Sequence, residues 1–164
     1  MTPKQAKLAE AAARAFTRLA DRAAAAEESV NDAIEALKVL IADESDDTDP
    51  TTYREFGYAW EKAQEVAGKV KGALNRAQAA VGELCDEADD HPGILAVCEA
   101  AEGALATADA ALAVLAVESR VNRVETGPHH LSGLRALRDR FGNVAGDADD
   151  AALLLDDPDA APVD

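Results

Sequence analysis

Residues 56–88 read FGYAWEKAQEVAGKVKGALNRAQAAVGELCDEA. Within that stretch Phe56, Trp60, Ala63, Ala67, Val70, Leu74, Ala77, Val81, Leu84 and Ala88 follow one another at alternating steps of four and three. A heptad stripe of this kind keeps one face of an α-helix toward a packed neighbour. Upstream, Thr52 and Glu55 have the S/T-x-x-E spacing of a capping box, and downstream Pro92 stops the run. The spacing predicts a helix over residues 53–90.

The stretches on either side repeat the pattern. From Pro3 to Asp43 there is no break, and Ala9, Ala12, Phe16, Leu19, Ala23, Ala26, Val30, Ala33, Leu37 and Leu40 keep the same steps. The loop from Glu44 to Thr51 is acid, small polar residues and one proline, which predicts a helical hairpin. After the His91-Pro92-Gly93 turn, Ile94, Cys98, Ala101, Leu105, Ala108, Leu112 and Leu115 mark a third helix, over 93–125. Leu95, Val97, Val114, Val117, Val121 and Val124 make it apolar around its circumference, so it is expected to be the most buried of the set. Beyond Gly127-Pro128, the residues Leu131, Leu134, Leu137, Phe141 and Val144 predict a shorter helix over 132–145. The aspartate-rich remainder, 147–164, reads as a disordered acidic tail.

The expected fold is therefore all-α. It is an antiparallel three-helix bundle of long Ala-rich heptad helices, with a short fourth helix packed on it and the tail outside. Residues 1–146 form the bundle domain, and 147–164 the tail. Aromatic residues are only 4% of the chain. Its stability must therefore come from long, close seams rather than large anchors.

Residues 44–52 and 147–164 hold −11 of the formal charge of −16, so the helical body is only mildly acidic. Direct binding to nucleic acid is not expected, because only the segment 128–146 is net positive. The most apolar run, Ala104 to Val117, carries Asp109 and is shorter than the roughly 20 residues of a membrane span. With no signal-like opening, the expectation is a soluble, cytoplasmic protein.

Chemistry is sparse in this sequence. There is no phosphate loop, nucleophile elbow or H-E-x-x-H, and the predicted seams hold almost no ionisable groups, so no enzyme, cofactor or metal is expected. His129-His130 reads as a solvated loop pair. Cys85 and Cys98 flank the His91-Pro92 turn symmetrically, at one height on facing helices. They are a candidate disulfide, weighed against two small buried thiols, the reading a cytosolic setting favours.

Candidate partner-binding residues fall into three groups. Tyr53 and Tyr58 belong to an aromatic cluster at one end of the second helix. Gly68 and Gly72, with Gly82, lie on its outer face. Arg135 and Arg138 on the short helix are followed by Leu153-Leu154-Leu155 in the acidic tail, a candidate docking motif. The function expected is a non-enzymatic protein–protein interaction module: an assembly, scaffold or adaptor protein with a protein partner. The Ala and Asp usage suits a phage or high-GC bacterial source. The alternative is an acidic inhibitor occupying the nucleic-acid-binding site of a defence or DNA-processing protein. The same stripes also permit a homo-oligomer.

Overall fold

A computed structural model describes residues 1–42, 50–120 and 128–161, with the side chains of residues 50, 128 and 129 excepted. Four long helices account for nearly all of them: α1 (Pro3–Ala42), α2 (Pro50–Asp86), α3 (Pro92–Glu118) and α4 (Pro128–Asp156). A short 3-10 turn, Pro158–Ala160, follows α4. The chain is all-α. Of the predicted loop 44–51, residues 44–49 lie outside the described residues, as do the predicted end of the third helix at 125 with Val121 and Val124 and the last three residues of the tail; Pro50 and Thr51 open α2, so Thr52 lies inside that helix rather than at its cap.

The starts of α1 and α3 have local causes. At α1, Thr2 Oγ1 accepts from the Gln5 amide at 3.1 Å while Gln5 Oε1 accepts from the Thr2 amide at 2.8 Å, a reciprocal capping box. The same Gln5 is buried, and its Nε2 donates to the Glu87 carbonyl at 2.8 Å. That bond ties the first turn of α1 to the end of α2. At α3, His91 is the N-cap and its Nδ1 accepts from the Ile94 amide at 3.2 Å. The chain reaches it through Asp89 and Asp90, both at positive φ, a conformation that aspartate tolerates better than most residues.

The ten positions quoted for 56–88 are all buried, at 4% exposure or less. They pack chiefly against α1, which in turn lies along α4 over a comparable length. Lys4 meets Glu87, and Arg138 Nη1 donates to Asn31 Oδ1 at 3.1 Å, so α1 runs antiparallel to both neighbours. Helix α3 packs on α4 and, less extensively, on α2. The four helices thus form a ring in chain order with α1 and α3 on opposite corners.

Two expectations need correction. The short fourth helix is a full one of 29 residues, and most of the predicted disordered tail belongs to it. Glycines 142 and 146 do not end it, since an interior glycine costs only about 1 kcal/mol relative to alanine. The buried series Leu134, Leu137, Phe141, Val144 carries on through Ala148, Ala151 and Leu155. The helix stops where Pro158 must stop it. The bundle is consequently four long helices rather than three and a fragment.

Helix α3 is the second correction. It was expected to be the most buried helix, yet only 28% of its most apolar 18-residue window is covered. Its length and composition would suffice to cross a membrane. The seams around α1 take the best-packed positions, and α3 occupies the corner with the fewest neighbours.

The C-terminal turn closes the bundle at the start of α3. Pro158 is buried, and a Cβ on Gly93 would run into its backbone carbonyl. Gly93→Ala must displace backbone on one side or the other, and urea unfolding should show a loss of about 1–3 kcal/mol. Gly72 is the contrast, because a Cβ there meets open space. Gly72→Ala should stabilise by up to about 1 kcal/mol. Equal effects of the two would mean that the turn does not rest on α3.

Candidate functional site

The outer side of α3 is the most unusual surface of the molecule, and the contacts at its two ends explain how it is held there. At the start, Cys85 of α2 and Cys98 of α3 form a disulfide with a Cα–Cα distance of 6.2 Å, within the usual range. Beside it, His91 Nε2 lies 2.9 Å from Asp159 Oδ1, joining the helix start to the C-terminal turn. Because Nδ1 accepts from Ile94, the ring's proton sits on Nε2 and is donated to the aspartate.

At the other end, Glu118 closes α3 against the first turn of α4. Its carboxylate lies over Gly133, where a Cβ would collide with it, and Oε2 is 3.4 Å from His130 Nδ1. His130 is only 4% exposed, and its ring stands edge-on to Phe56 and Trp60, with centroids 5.8 and 5.7 Å away. From sequence alone this histidine is expected in solvent. Helix α4 begins at Pro128 rather than 132, which places His130 one step of four before Leu134, on the buried side. Nδ1 has no hydrogen-bond partner.

Burial lowers the His130 pKa below the ordinary 6.5, with the nearby Glu118 carboxylate acting in the opposite, weaker sense. A histidine lowered in the folded state takes its proton more readily when unfolded. Stability is therefore fully present above about pH 6.5 and falls as the pH drops below it, until the folded-state value is passed. Each unit of lowering corresponds to about 1.4 kcal/mol. Urea titrations of wild type and His130→Leu between about pH 5 and 8 should diverge on the acid side, wild type losing more. Parallel curves would show that the ring is not held neutral.

Between these clasps the outer side of α3 is uncovered. Leu95 and Val117 are 49% and 60% exposed, and Leu112, Val114 and Leu115 are only half-buried. From Ala110 to Val117 there is no charged residue, and Ala111 alone of the eight is buried. Before that run the same helix exposes Glu99, Glu102 and Asp109. There α4 adds Asp147, whose carboxylate accepts from Thr107 Oγ1 at 2.8 Å, and Asp150.

The residues singled out from sequence are scattered over the surface. Tyr53 and Tyr58 are exposed, while their neighbours Phe56 and Trp60 are core. Gly68 and Gly72 face solvent with nothing within reach of a Cβ. Arg135 is exposed; Arg138 is half-buried, bonded to Asn31 and, through Nε, to Asp139 at 3.1 Å. The leucine triplet divides: Leu153 is 72% exposed, Leu154 half-buried and Leu155 fully buried. Leu155 is a core residue, so the three leucines do not share one exposed face. Asp147, Asp149, Asp150 and Asp156 continue along the same helix as Arg135 and Arg138.

Among the described residues no group of three His, Cys, Asp or Glu side chains is placed to hold a metal ion. The concavities described are open grooves between helices, one floored by Ala11, Ala15 and Ala73 and rimmed by Arg14, Arg18 and Arg76. No family model, curated protein or solved structure matches the chain. The exposed side of α3 was not found from sequence because hydropathy alone cannot say which helix takes the outer corner.

Proposed function

We propose that this protein is a non-enzymatic interaction module, an assembly, scaffold or adaptor protein, that engages a protein partner through the outer side of α3. One observation carries the reading: the most apolar helix leaves Leu95 and Val117 exposed and Leu112, Val114 and Leu115 only half-buried. Folded chains rarely leave contiguous apolar surface on show, and such a patch rimmed by polar residues marks an interaction site. The clasps at both ends of α3 support it, since they hold the surface in place without hiding it.

The test is site-specific cross-linking. A photo-reactive side chain at Val117 should give a discrete adduct in extracts of the source cells, and one at Lys7 on α1 should not. The second substitution Leu95→Asp should abolish the Val117 adduct. A pattern that is the same at Val117 and Lys7 would dispose of the reading.

The acidic-inhibitor alternative draws support from one feature. Asp139, Asp147, Asp149, Asp150 and Asp156 are exposed on a continuous helix rather than carried on a loose tail. Carboxylates at fixed spacing imitate a phosphate array better than mobile ones do. On that reading Asp139→Asn, Asp149→Asn and Asp156→Asn together abolish partner binding, while Val117→Asp leaves it intact. The α3 reading demands the reverse.

A further inference from the structure

We infer that the α3 face takes a cationic amphipathic helix, one whose apolar side is uncharged toward one end and flanked by Lys or Arg toward the other. The inference rests on α3 being the docking face and adds the chemistry of its occupant. Along the solvent side of α3, Leu95, Glu99, Glu102, Ala106, Asp109, Ala113 and Val117 succeed one another at steps of three and four, so all of them share one stripe. That stripe is divided lengthwise. As far as Asp109 it exposes three carboxylates, and Asp147 and Asp150 of α4 line the adjoining groove with Gly103, Ala104 and Thr107. The remainder, Ala110 to Val117, has none. No Lys or Arg occurs on α3 itself, and the first cation after it is Arg120.

Such a face sorts its possible occupants by charge. A second copy of the chain fits badly. Laid parallel, two such helices set acid on acid; laid antiparallel, each buries unpaired carboxylates against the other's apolar half, which costs several kcal/mol per charge. An anionic membrane surface would be repelled by the acid half. A helix with basic residues over Glu99, Glu102 and Asp109 and aliphatic ones over Leu112 to Val117 satisfies both halves, the apolar contact giving affinity and the charge giving orientation and rate.

The experiment uses the full chain and two fluorescent helical peptides of about 20 residues, enough to span the face. They have the same apolar side and differ in having Lys or Glu on its flank. The Lys peptide should bind at least about tenfold more tightly than the Glu peptide, a difference of about 1.4 kcal/mol. Val117→Asp should weaken that binding by about tenfold or more, although it makes the protein more acidic. Mere attraction to an acidic protein would strengthen instead, and that outcome overturns the inference. Glu99→Gln, Glu102→Gln and Asp109→Asn together should erase the preference for the Lys peptide. Circular dichroism of each variant establishes that the fold is retained.

Equal binding of both peptides, lost in Val117→Asp, would sink the charge assignment and leave α3 as the docking face. If neither peptide binds, and the Val117 cross-linking adduct is also missing, both readings fail. Dimerisation by sedimentation equilibrium that Val117→Asp abolishes, or binding to anionic phosphatidylglycerol vesicles, would replace the cationic helix with another occupant and overturn the inference.

Discussion

Ending the chain after Gly146 is expected to destroy the cooperative fold. The deletion would take Ala148, Ala151 and Leu155 from the inner side of α4, together with Pro158 at the bundle's end. Leu155 is fully buried, and its replacement by alanine alone should cost about 2–5 kcal/mol. Domains of this size are stable by only about 5–15 kcal/mol. Removing the whole segment also strips the half of α1 nearest its start of the helix it packs on, where Glu10, Ala13, Thr17 and Ala152 share a groove. Thermal melts followed by circular dichroism should show a broad, low transition for the truncated chain, and a clearly lowered but cooperative one for Leu155→Ala. A truncated protein melting within a few degrees of the full chain would show that residues 147–164 are an appendage after all. The same result bears on experiments with acidic tails in general: deleting this segment to test its charge would unfold the protein, so the charge must be tested by Asp→Asn substitution.

How far the sequence could be read is clearest from α2 and α4. In α2 the stripe residues are alanine, valine, leucine and two aromatics without a break, and every one of them is buried. In α4 the stripe is as regular, but beyond Val144 it passes to Ala148 and Ala151, and alanine among aspartates carries little hydrophobic signal. Two glycines and a run of acid then outweighed a spacing that was there to be followed from Leu134 to Leu155. The structure resolves the conflict through packing, because α1 has a second side with Ala13, Ala20 and Ile34 that needs a partner along its whole length. His130 was missed for a related reason. Its burial depends on where α4 starts, and a helix boundary uncertain by a turn moves a side chain from solvent to core. The uncovered side of α3 is a different kind of miss. Periodicity tells which face of a helix is apolar. It does not count the neighbours that the helix will have.

Opening the disulfide should loosen α3 more than any other part of the molecule. Bond formation between Cys85 and Cys98 closes a short loop, and by the chain-entropy account its loss costs about 3 kcal/mol. The loss should not be spread evenly. Helix α1 keeps its two extensive seams whether or not the bond is present, but α3 meets α2 less closely than it meets α4, and Cys98 supplies the covalent part of that contact. In Cys85→Ser/Cys98→Ser, backbone amides between about 100 and 117 should exchange with solvent faster, while those of α1 from Phe16 to Leu37 change little, as expected when one cooperative unit opens below the global transition. A reducing cytoplasm would favour the open form and an oxidising compartment the closed one, so the cytoplasmic setting expected from the sequence and the bond in the structure pull apart. Partner binding at the α3 face should weaken with the bond open, since the helix must then be ordered at the moment of docking. If exchange in α3 is unchanged by the double substitution, Gly93 against Pro158 and Glu118 against His130 are sufficient clasps, and the disulfide contributes only to the global stability.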